Sequence, residues 1–256
     1  MFSRYDINYD INIVYQKNNK YFISIELFVI LITFNCLIYL NRFLHINLKK
    51  HNIEYLKLDN YKQKYVVKNI SKCLWLFGLS FFSIYILIQT IILNIWDTHL
   101  VNILGAVYGL PDTYSLITIP NLPISTKIHH AVVTFLWILN YFQTIEVFHY
   151  WRGIAVYALF SILCGSVNGY LGYRLIFPDS EYRQTFKKFA RYNYIFCFIS
   201  IWIYQYFTMW TWLSVYGWKC IGFWIYVISS HLIMYDDIIL IRFLKKDARV
   251  KENKLE

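Results

Sequence analysis

Long apolar runs separated by short polar segments set the pattern of this chain, and the runs have the length a bilayer imposes. A membrane helix needs about 20 mostly apolar residues. Seven stretches meet that requirement, near 21–40, 73–95, 100–119, 128–148, 151–177, 191–213 and 218–244. They are too long and too uniformly apolar for barrel strands, and backbone groups in hydrocarbon must bond within their own segment, so each run predicts a helix. The expected fold class is all-α: a polytopic membrane protein of about seven transmembrane helices. No internal repeat, heptad run or low-complexity tract divides it, so the spans are expected to form one domain.

The polar segments orient these spans. Segment 41–72 carries Arg42, Lys49, Lys50, Lys57, Lys62, Lys64, Lys68 and Lys72 against Glu54 and Asp59 alone, which places it in the cytosol by the positive-inside rule. Alternation then brings 178–190 and the tail to the same side, and both are basic. The opposite turns, near Trp96 to His99, Phe148 to Arg152 and Trp210 to Lys219, carry few positive charges. The predicted organisation is a luminal segment 1–20, an N-terminal transmembrane helix 21–40, a basic cytosolic loop 41–72, a helical domain 73–244 and a cytosolic tail 245–256. Residues 1–20 lack the features of a cleavable signal, so the first helix is expected to stay attached, as an anchor beside a six-helix core.

Composition agrees, with 58% hydrophobic and 16% charged residues. The net charge of +10 lies between spans instead of forming a basic patch with interleaved aromatics, so no nucleic-acid partner is expected. The five cysteines show no CxxC or Cys/His spacing and read as small buried hydrophobes. An Asn-x-Ser sequon at Asn69 to Ser71 falls on the cytosolic side, where no glycan is expected. Pro111 predicts a kink in the third run. Gly105 with Gly109, and Ser161, Gly165 and Gly169 with Gly172 beyond, are small residues at the spacing that lets helices approach closely.

Ionisable side chains within apolar runs are costly unless they have a partner or a task. Asp112, the adjacent His129 and His130, Asn168, Arg174 and the pair Asp236 and Asp237 all fall at the cytosolic depth of their spans. On the fourth helix His129 shares a stripe with Asn140, with Gln143 close by, and His130 shares a face with Thr134. Such a cluster permits general acid–base chemistry, because histidine titrates near neutrality and a carboxylate can orient it. Asp236 and Asp237 lie close enough to Arg242, Lys245 and Lys246 for ion pairing to compete with a catalytic role. Glu26 stands alone in the first run, and His231 reads as a packing residue. No metal is expected, since HExxH, HxxxH and Cys-rich spacings are missing. Phosphate loops, dinucleotide fingerprints and the nucleophile elbow are missing too.

The stretch GLPDTYSLITIPNLPISTKIHHAVVTFL, Gly109 to Leu136, resembles the core of the TLC-domain family, which includes ceramide synthases and lipid-regulatory membrane proteins. The resemblance rests on Asp112, a Pro-containing turn, and His129 and His130 followed by Thr134. SVNGYLGYRLI, Ser166 to Ile176, is similar to the family segment with an Asn and a following Arg or bulky residue. The similarity covers roughly residues 60–245. It implies a helical bundle around a lipid-accessible cavity, usually in the endoplasmic reticulum. Ceramide synthases use a His pair to N-acylate a sphingoid base from acyl-CoA, which would map onto His129 and His130 with Asp112 as the accompanying acid. Their further His-Asp pair has no counterpart in YALFSILCGSVNGY.

The expected function is that of a TLC-type membrane protein that binds or processes a lipid. As an enzyme it would transfer an acyl group from acyl-CoA, its cosubstrate, to an amine or hydroxyl of a lipid acceptor. Catalytic roles fall to His129, His130 and Asp112, and substrate binding to Asn168, Arg174 and Asp236. The alternative is non-catalytic lipid binding, sensing or trafficking. A seven-helix receptor would show an acidic-Arg-aromatic triplet after its third span and an extracellular disulfide. A transporter would show paired broken helices in two related halves.

Overall fold

The computed structural model describes residues 19–119, 122–142, 145 and 148–246, without the side chains of 19–25 and 141. Every regular element among them is helical: α1 Asn19–His51, α2 Ile53–Leu56, α3 Asn60–Leu87 with a π-helical extension Ile88–Ile92, α4 Thr98–Thr118, α5 Ile124–Tyr141, α6 Arg152–Leu163, α7 Gly165–Ile176, α8 Tyr182–Tyr216 and α9 Ile221–Lys246. Three helical stretches are long and apolar enough to cross a membrane: Glu26–His51, Asn60–Ile92 and Ile221–Lys246. The pair α6 and α7, bent by 41° at Cys164, makes a fourth if it counts as one span. Thus the predicted run 151–177 is two half-helices. Helix α4 falls short of that measure because Asn102, Asp112 and small residues dilute it, and α8 because much of its apolar surface is Tyr and Trp.

The basic segment 41–72 is not a loop. Helix α1 runs on to His51 and α3 already begins at Asn60, so most of its lysines stand on helix ends. Asn52 caps α2 by accepting from the Tyr55 amide at 2.7 Å, and Asp59 caps α3 by accepting from the Lys62 amide at 2.8 Å. Both caps satisfy amides that a helix start leaves unpaired. Tyr55 is fully buried beneath this junction, and Asn52 also donates to the Ile176 carbonyl, tying the turn to the end of α7.

Helix α6 is the inner element, buried from Arg152 to Leu159 and flanked by α3, α4 and α8. Around it α3 packs on α7, α4 on α5, and α9 on α5 and α8. Helix α1 lies outside, against α3 and α4. Its Glu26 is buried and meets His99 Nδ1 at 3.1 Å, so the acid that stood alone in the sequence is paired across that contact. Glycines set the closest approach. A methyl built on Gly172 would lie 2.7 Å from Ile70 Cγ1, and one on Gly169 only 2.8 Å from Cys73 Sγ. Gly109 does the same for α4 against Trp137 of α5, whereas Gly105 faces open space. Pro111 lies inside α4 and does not end it.

Outward faces are apolar. Phe28, Phe77, Phe81 and Phe82 are exposed, and α8 presents Phe189, Phe196, Ile203, Phe207 and Trp210. Contiguous apolar surface of this kind is expected where lipid is the solvent. At the end opposite the α2 turn, buried Arg152 donates to the Ile145 carbonyl at 2.8 Å and stacks 4.5 Å from the Trp96 ring. A buried knot of Gln205, Tyr226 and the Gly153 carbonyl joins α8, α9 and α6 there.

Candidate functional site

A cavity of about 360 Å³ lies between α3, α5, α7, α8 and α9 toward the α2 end of the bundle. Each wall is a helical stripe. Helix α3 contributes Tyr65, Lys68, Asn69, Lys72 and Leu76, spaced by three and four residues. Helix α7 contributes Asn168, Leu171 and Arg174, and α9 contributes Asp236, Leu240 and Phe243. Tyr108, Tyr157, Phe198 and Ile201 complete an apolar and aromatic lining, so polar groups and hydrocarbon surface share one space.

Asp112, fully buried on α4, forms an ion pair with Lys72 of α3, whose side chain is 9% exposed. His130 Nδ1 lies 3.0 Å from Asp112 Oδ1. On its other side, His130 Nε2 is 2.9 Å from Lys68 Nζ. An ammonium has only hydrogens to offer, so Nε2 accepts and the proton of the neutral ring stands on Nδ1, facing Asp112. His130 thus has a hydrogen-bond partner at Nε2 and a carboxylate within ion-pairing distance at Nδ1.

His129 is arranged differently. Its Nδ1 lies 3.1 Å from Asp236 Oδ2, across from α5 to α9, and its Nε2 has no partner among the described residues. A carboxylate at Nδ1 favours the tautomer whose lone pair is on Nε2. Asp237, one residue on, accepts from the Tyr194 hydroxyl at 2.6 Å. Of the pair, His129 is the ring whose Nε2 is without a partner among the described residues, and the carboxylate within ion-pairing distance of its Nδ1 is that of Asp236.

The remaining predicted residues are also placed. Asn168 and Arg174 line the cavity, and the Arg174 guanidinium stacks 4.7 Å from the Phe243 ring. Neither Asp236 nor Asp237 forms an ion pair with the basic end of α9 among the described residues. Asn140 is buried away from the cavity and donates to Asn102 Oδ1 at 3.1 Å, while Thr134 meets Thr113 at 2.9 Å. Gln143 lies outside the described residues. His231 bonds its own helix at the Val227 carbonyl, and the five cysteines are free thiols. Asn69 of the sequon is buried and donates to the Tyr65 carbonyl at 2.8 Å.

Sequence reading missed Lys68 and Lys72, because they continue a run of loop-like lysines. The signal that separates them is their three-to-four spacing with Tyr65, Asn69 and Leu76. It missed the role of Tyr194 as well, one tyrosine among 24.

Asp112, His129 and His130 offer ligand atoms within 4.8 Å of one another, a set able to approach a metal ion. Asp112 Oδ2 is buried without a hydrogen-bond partner, which fits such a role. The neighbouring charges oppose it, since Lys72 is paired to Asp112 and Lys68 to His130, and two ammonium groups repel a divalent cation. No family model, curated protein or solved structure matches this chain.

Proposed function

We propose that this chain is a multi-pass membrane protein of the TLC type whose cavity binds a lipid and supports acyl transfer to it. The observation that carries the reading is one space in which an apolar lining meets a histidine with a free ring nitrogen, inside a bundle whose outer faces are apolar. Pockets that combine such a lining with a few convergent polar groups are the usual ligand sites. The seven-span topology, with the N-terminus luminal and the α2 side cytosolic in an endomembrane such as the endoplasmic reticulum, is supported by the basic residues gathered at that end. The cavity then opens toward the cytosolic leaflet, within reach of acyl-CoA.

In this reaction His129 Nε2 takes the proton of an acceptor amine or hydroxyl as that nitrogen or oxygen bonds the acyl carbon. The thioester C–S bond breaks and the coenzyme A thiolate leaves with the sulfur's electron pair. Asp236 holds the imidazolium that forms, Asn168 positions the acceptor, and His130 with Asp112, Lys72 and Lys68 forms a rigid wall. Incubating the purified chain with labelled acyl-CoA and lipid amines or alcohols is expected to give an acylated product. The His129→Ala protein should be folded and inactive, and retained turnover would rule out this base.

A second reading is supported by the contact between Lys68 and His130 Nε2 at 2.9 Å, which occupies a lone pair an acid–base pair would use. In it the same cavity binds or senses lipid without turnover. The incubation separates the two, since a binder retains lipid and forms no product.

A further inference from the structure

The cavity has an uneven charge distribution. Lys72 is matched by Asp112, and Asp236 faces His129, yet no carboxylate of a described residue lies within ion-pairing distance of Lys68 or Arg174. Both cations stand on the α3 and α7 walls, half-buried, and Lys68 spends one of its three N–H donors on His130 Nε2. The Arg174 guanidinium is braced against Phe243, and its buried Nε has no hydrogen-bond partner. A half-buried guanidinium with the Tyr65 hydroxyl but no carboxylate beside it is under-compensated, and a stacked, planar donor fork is the arrangement that receives a phosphate through two parallel hydrogen bonds. The acids Asp236 and Asp237 line the α9 wall, about two helical turns from Phe243 along that helix, so an anion is favoured beside Arg174 and Lys68 and disfavoured deeper on the α9 side.

We infer that Lys68 and Arg174 form a phosphate subsite, and that the lipid this cavity takes carries a phosphate ester in its head group. The inference rests on the cavity being a lipid site and adds the class of lipid. Tyr65 and Asn168, on the same two walls, are within the lining to supply neutral donors, and the apolar surface of Leu76, Phe198 and Ile201 takes the chains.

The test uses the full-length purified chain and two lipids that differ by the phosphate alone, a diacylglycerol and its phosphate monoester with the same acyl chains, offered together and read by native mass spectrometry. The phosphorylated lipid is expected to be retained in preference by about tenfold or more, the scale of one charge-assisted hydrogen bond. Arg174→Gln and Lys68→Gln should each lower that ratio by about tenfold, and Arg174→Lys should keep most of it. Because a ratio within one protein is read, a loss of folded material does not imitate the effect. Inorganic phosphate supplies the third arm: failure to compete at millimolar concentration places the phosphate on the lipid, whereas competition places it in the cytosol, and both support the subsite. Equal retention of the two lipids, or an unchanged ratio in the Arg174→Gln, Lys68→Gln double variant, overturns the phosphate subsite alone. Retention of neither lipid overturns the lipid site as well.

Discussion

Two neighbouring histidines stand in different surroundings. His130 is clamped between Asp112 and Lys68, whereas His129 has only Asp236 behind it and a free nitrogen in front. His130→Ala should therefore act mainly through the shape of the wall, and His129→Ala through loss of a proton acceptor. A pH profile distinguishes them. Turnover that depends on a neutral His129 falls on acidification, and His130→Asn should keep that acid limb. The Lys72 and Asp112 pair is buried. Removing one partner of a buried pair costs about 3–5 kcal/mol because the other charge is left uncompensated. Lys72→Met should thus lower the thermal unfolding midpoint steeply, and the Lys72→Met, Asp112→Asn double variant should recover most of the loss. With two ammonium groups at the histidines, metal analysis of the purified chain should find no stoichiometric transition metal, and chelators should leave lipid retention unchanged.

At the level of elements, the helices were legible in the sequence wherever an apolar run was uninterrupted, and they were misjudged at their ends. Runs read as 21–40 and 73–95 are helices that extend to His51 and begin at Asn60. A hydropathy pattern marks the part of a helix inside hydrocarbon, whereas helix ends are set by caps such as Asn52 and Asp59, which look like loop residues. The break at Cys164 was invisible for a different reason, because apolar residues continue on both sides and the bend comes from packing α6 inward while α7 follows α3. The site was half legible. Asp112, His129 and His130 stand out as charges in apolar surroundings, but partner choice, Asp236 for His129 and Lys72 for Asp112, depends on which stripes face one another. The contact of α7 with α3 rests on glycines. Gly172→Leu must push against Ile70 and the Val66 carbonyl, an overpacking expected to destabilise by about 1–3 kcal/mol. Gly105→Leu, facing open space, should be tolerated in the same thermal assay.

Taken whole, the molecule gathers its basic ends and its polar cavity at one end, and seals the other with Arg152, Trp96 and the Gln205 and Tyr226 knot. Polar chemistry at one depth and apolar surface around it is the arrangement an enzyme or binder of membrane lipid requires, and it predicts the orientation. A tag inserted between Asp179 and Glu181 should be accessible from the cytosol, and one between Trp218 and Lys219 from the lumen, as read by selective permeabilisation. The most direct measurement is cross-linking with a lipid that carries a photoreactive group near its head, followed by mapping of the adducts. Adducts concentrated on cavity residues of α3, α5, α7 and α9, and displaced by excess unlabelled lipid, are the predicted result. Adducts confined to the outward faces of α1 and α8, unchanged by competitor, would contradict the lipid site.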